Sequence, residues 1–125
     1  MSEIRATTIS DLAGTGPATL TGQYAAKAWV NFNGTGTVAI RESANVSSIT
    51  DNSLGVYTVN FANAMTDANY SGGTLGGDIN GGGASDNTVI CTANQTTSSV
   101  RVLTRNVQSS GGVLDPNFAS LAIFR

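Results

Sequence analysis

The sequence predicts an all-β protein, an antiparallel β-sandwich of jelly-roll-like type, and three observations predict it. No window carries apolar residues at i, i+3, i+4 and i+7 between helix caps. Instead, short runs rich in β-branched residues alternate apolar with polar and are separated by turn-forming clusters at the intervals a sandwich needs. Charged residues are only 11% of the chain, against roughly 25% in ordinary soluble domains. With 15 glycines, that is a composition of tight turns and an uncharged polar surface.

At 125 residues the chain suits one domain with a real core. Residues 1–23 hold one alternating run, IRATTI (4–9), followed by AGTGP. They are expected to be an extended attachment segment that buries little within its own chain and is ordered by neighbouring copies or a larger assembly. Residues 24–125 are expected to form the sandwich. Its strands are predicted at 25–32, 37–41, 45–50, 56–61, 87–93, 99–107 and 119–125.

The stretch KAWVNFNGTGTVAIR (27–41) reads as a hairpin turning at NGTG. An odd-length loop centred on Gly34 pairs Val30 with Val38 and Ala28 with Ile40, beside Phe32, and makes that the core face. The opposite face then carries Trp29 beside Ala39, Asn31 beside Thr37, and Lys27 beside Arg41. A Trp there lies either under a loop of its own chain or against a neighbouring subunit, where aromatic residues are favoured. The DNSLG stretch (51–55) predicts a second hairpin over 45–61.

Two stretches read as loops. SGGTLGGDINGGGASDN (71–87) is rich in Gly and poor in packing groups, and so is expected to be a long surface loop. SSGGVLDPNF (109–118) is expected to be a loop closed by Asp115-Pro116 ahead of the last strand.

The inventory for chemistry is thin. There is no His, which removes the usual general base and the commonest metal ligand and excludes Ser-His-Asp and Cys-His nucleophilic sites. Carboxylates for glycosidase work exist, but they sit mostly in Gly- and Asn-rich turns and no spacing singles out a pair. DINGGGASDN (78–87) offers Asp78, Asn80, Asp86 and Asn87 to a hard cation, yet Val89 stands where a closing carboxylate is required. GTGP and GGTLGG neither open a helix nor precede a Lys-Ser/Thr pair, so they are not phosphate cradles. The lone Cys91, in NTVICTAN, reads as a small buried hydrophobe. The chain is therefore read as non-enzymatic, with no cofactor and no metal.

A net charge of −2, with six basic residues, gives no footprint for nucleic acid. No run of some 18 apolar residues is present, so no membrane insertion is expected. A surface with so little charge does little to keep copies apart, and self-association is expected.

The run AAKAWVNFNGTGTVAIRESANVSSITDNSLGVYTVNFANAMTDANYS (25–71) resembles a domain that recurs in tail-fibre and related structural proteins of tailed bacteriophages. The lead-in TISDLAGTGPATLTGQ (8–23) resembles the segment that often precedes that domain. The resemblance covers rather more than half the chain, and KAWVNFNGTGTVAIR is its most specific part. It implies a virion structural protein, a tail fibre or its receptor-binding tip, made in the host bacterial cytoplasm and working as a homotrimer beside other virion proteins. On that reading the 71–87 loop, with 109–117 as a second candidate, faces a host surface glycan or protein, with Tyr70, Asp78, Asn80 and Asp86 as contacts. Trp29 is the candidate subunit contact. The alternative expectation is a capsid decoration or fibre-assembly protein that docks through residues 1–23.

Overall fold

The computed structural model describes residues 25–76, 88–106 and 112–125. The predicted run at 4–9 and the attachment segment 1–23 lie outside them. The described residues form eight strands: β1 (Ala26–Asn33), β2 (Ala39–Ala44), β3 (Val46–Ser53), β4 (Val56–Phe61), β5 (Ser71–Gly76), β6 (Thr88–Ala93), β7 (Ser99–Asn106) and β8 (Ala119–Phe124). They make two antiparallel four-stranded sheets, ordered β2-β1-β8-β5 and β3-β4-β7-β6. The architecture is the antiparallel β-sandwich that the alternation predicts.

The core is written at period two. Ala28, Val30 and Phe32 of β1 and Ala119, Leu121 and Ile123 of β8 face Tyr57, Val59 and Phe61 of β4 and Val100 and Val102 of β7, all buried. The intervening side chains point outward and are polar or small, with Trp29 of β1 the exception. Burying each large member of this set contributes roughly 1.5–3 kcal/mol. Two edge-to-face aromatic pairs sit within it, Phe32 with Tyr57 at 5.2 Å between centroids and Phe61 with Tyr70 at 5.9 Å. Strands β2 and β3 are edge strands and are mostly exposed.

Two expectations are corrected here. The first is the register of the β1–β2 hairpin. Phe32 lies opposite Ile40, Val30 opposite Ser43 and Trp29 opposite Ala44, with a bulge between Asn31 and Phe32. The β1 core face is as expected, but its partners are displaced because the loop is centred on Gly36 and not on Gly34, and the bulge shifts the pairs beyond it once more. Asn33 Nδ2 donates to Thr35 O at 2.7 Å and Thr35 Oγ1 donates to Asn33 Oδ1 at 2.9 Å, which folds the loop on itself. Gly36, at φ 63°, completes the reversal.

The second correction is β5. Residues 71–76, expected to be the start of a loop, pair along their whole length with β8. The β3–β4 hairpin forms where predicted, with Leu54 and Gly55 at the turn and Gly55 at φ 64°.

Candidate functional site

The outward face of the β2-β1-β8-β5 sheet gathers apolar groups that stay exposed among the described residues. Residues directly opposite on neighbouring strands share a face, and Ala44, Trp29, Ala122 and Gly73 stand opposite one another in turn across all four strands. Leu75 and Phe124 lie on the same face, one row to either side. Trp29 is 37% exposed, Phe124 40% and Leu75 69%. The small side chains of Gly73 and Ala122 leave a depression beside the indole, a groove of about 390 Å³ lined by Trp29, Gly73, Thr74, Leu75, Ser120 and Ala122. What such a groove offers is apolar surface for burial, with a large aromatic at its centre.

The predicted subunit contact, Trp29, therefore has partners that the sequence reading missed. Leu75 and Phe124 join it only because β5 and β8 lie beside β1 in this sheet. The last strand was recognised, and its Phe124 alternates outward from Ile123. Leu75 had no such signal, since SGGTLG carries no alternating apolar run.

Of the predicted receptor contacts, Tyr70 is the one among the described residues. Tyr70 is 5% exposed, and its hydroxyl donates to Thr96 O and Ser99 O, each at 3.0 Å. Burial raises its pKa. Its ring is a core element that pins the β4–β5 connection to the β6–β7 turn, not an open platform for a sugar. Asp78, Asn80 and Asp86 lie outside the described residues. Cys91 lies in β6 opposite Leu103.

Within the second candidate loop, residues 112–118 are seated on the sandwich. Pro116 is fully buried, and its carbonyl accepts from Gly34 N at 2.8 Å. Leu114 O accepts from the Thr104 hydroxyl, and Asn117 O accepts from Arg41 Nη2 at 2.5 Å. Asp115 Oδ1 accepts from Tyr57 Oη at 2.5 Å and from Gly55 N at 2.7 Å. Residues 114–117 work as a tether across one end of the sandwich, while Gly112 and Val113 stay exposed.

Comparison with protein-family models, with curated proteins and with solved structures finds no match for this chain.

Proposed function

We propose that this chain is a non-enzymatic structural protein of a tailed-bacteriophage virion, a tail fibre or its receptor-binding tip, that works as a homotrimer. The observation that carries the reading is the outer face of the β2-β1-β8-β5 sheet, where, among the described residues, Trp29, Leu75 and Phe124 are exposed around one apolar groove. An apolar face on a monomer marks a contact surface, and a net charge of −2 does little to oppose the approach of a second copy. The resemblance of residues 8–71 to the tail-fibre domain supports the virion setting, and the His-free composition supports a role in shape and assembly.

Light scattering on the full-length chain is expected to give three times the 12.7 kDa chain mass. A stable monomer at micromolar concentration rejects the trimer. Purified protein is expected to compete with virion adsorption to host cells, and a labelled antibody is expected to decorate the imaged virion. Absence from purified particles rejects the virion reading whatever the oligomeric state.

A further inference from the structure

Strands β1 and β8 pair at the end of the sandwich opposite the Asp115 tether, with Ala26 facing Phe124. That pairing brings Lys27 and Arg125 to one cleft of about 440 Å³, whose remaining walls are Asn45, Ala64, Met65 and Thr66. The whole sequence has six Lys and Arg residues, and two of them converge on this one concavity. No carboxylate among the described residues pairs with Lys27. Arg125 donates through Nη2 to Asp67 Oδ2, which leaves its other N–H groups unclaimed among the described residues.

Asp67 is a fixed counter-ion. Its carboxylate also accepts from Asn69 N at 2.7 Å, and these bonds, that from Asn69 first and that from Arg125 second, hold its pKa below the ordinary value. Asn45 is not free to serve a ligand. Its amide nitrogen donates to Lys27 O and Asn63 O, and its oxygen accepts from Asn63 N and Nδ2.

The donors left to a ligand are thus two cations and the Thr66 hydroxyl, set beside the apolar walls of Ala64 and Met65. We propose that this cleft is a binding site for an acidic sugar residue, a uronate. Its carboxylate lies between Lys27 and Arg125, its hydroxyls meet Thr66, and its C–H face lies on Met65. The volume exceeds what a bare inorganic anion fills and falls in the range of small-ligand sites. A ligand with one charged and one apolar side matches the lining, because charge-assisted bonds fix one edge and burial holds the other. The inference is independent of the virion reading and of the oligomeric state.

Titrating the full-length ¹⁵N-labelled chain with galacturonic acid, tetragalacturonic acid and galactose tests it. At least one of the two acids is expected to shift the amides of Lys27, Met65, Thr66 and Arg125, with affinity falling as salt is raised. Galactose is expected to leave them unmoved. K27Q and R125Q are each expected to weaken binding roughly tenfold, the loss of one charge-assisted bond. D67N is expected to tighten it, because it releases Arg125 from its counter-ion. Similar affinity for monomer and tetramer identifies a free sugar acid as the ligand, and binding of the tetramer alone identifies a polymer-borne residue. Failure of both acids to bind, equal binding of galactose, or affinities unchanged in K27Q and R125Q overturns the proposal. All three substitutions are at surface groups, and circular dichroism checks that the fold is retained.

Discussion

The phenol of Tyr57 has no exposure to solvent, and its hydroxyl donates to Asp115 Oδ1, with Gly34 O a second acceptor at 3.3 Å. One carboxylate oxygen thereby holds the β3–β4 turn, through Gly55 N, and the 112–118 segment against the core. Gly34 fits only because it lacks a side chain, since a Cβ there would stand 2.5 Å from the Tyr57 hydroxyl. Tyr57→Phe removes the donor and is expected to cost about 1–2 kcal/mol in urea unfolding. Asp115→Ala is expected to cost more, because it takes the acceptor from Gly55 N and leaves the Tyr57 hydroxyl only the longer bond to Gly34 O. An equal or smaller loss in Asp115→Ala would show that the carboxylate is not the tether. Burial first, then the bond to Asp115 and the charges of Asp115 and Asp51, push the Tyr57 pKa far above its ordinary value. The sign of the pH effect follows from that direction. The folded state keeps the phenol protonated while the unfolded chain releases the proton near pH 10, so above that pH the unfolded state binds fewer protons. Stability is expected to be fully present below about pH 10 and to fall as pH rises beyond it. The fall should be smaller in Tyr57→Phe, and equal slopes in the two proteins would contradict the assignment.

At the level of elements, the chain crosses from one sheet to the other at a single residue, Asn45, between Ala44 of β2 and Val46 of β3. Asn45 has φ 54°, and its side chain bonds to Lys27 O and to Asn63, binding the start of β1 to the residues after β4. Asn45→Gly keeps the backbone conformation and loses only the side-chain bonds, an expected cost of about 1–2 kcal/mol. Asn45→Ala adds left-handed strain and is expected to cost about 1 kcal/mol more. Equal losses would remove the backbone from the explanation. This corner was not legible in the sequence, because Asn is common throughout the chain and 45–50 reads as an uninterrupted strand. β4 was legible to the residue, since VYTVNF alternates cleanly between a two-residue turn and the end of its buried face. β5 was not, because its strand identity comes from pairing with β8 rather than from its own side chains. The uronate cleft was invisible for a related reason. Lys27 and Arg125 are 98 positions apart in the chain, and only the pairing of the first and last described strands brings them together.

Across the whole molecule the two sheets present unlike outer faces, and this asymmetry decides how copies can associate. On the β3-β4-β7-β6 sheet, Asn60 Nδ2 donates to Ser48 Oγ and Thr50 Oγ1 at 3.1 Å each, and Thr58 Oγ1 donates to Asn52 Oδ1 at 2.8 Å. Those groups are mutually satisfied and form a wetted surface with little to gain from burial. On the other sheet, Trp29, Leu75 and Phe124 are apolar, exposed and next to a groove, so burying them is the larger free-energy gain on association. The proposed trimer is therefore expected to turn the β2-β1-β8-β5 face inward and to leave the hydroxyl and amide ladder outside. Leu75 is the most exposed of the large apolar residues among those described, so Leu75→Lys places a charge in the proposed contact while disturbing the fold least. It is expected to yield a monomer by light scattering, with thermal unfolding of the isolated chain unchanged at concentrations too low for association. Thr58→Lys, on the opposite face, is expected to leave the oligomer intact. The reverse pattern, with association lost in Thr58→Lys and kept in Leu75→Lys, would place the contact on the other sheet.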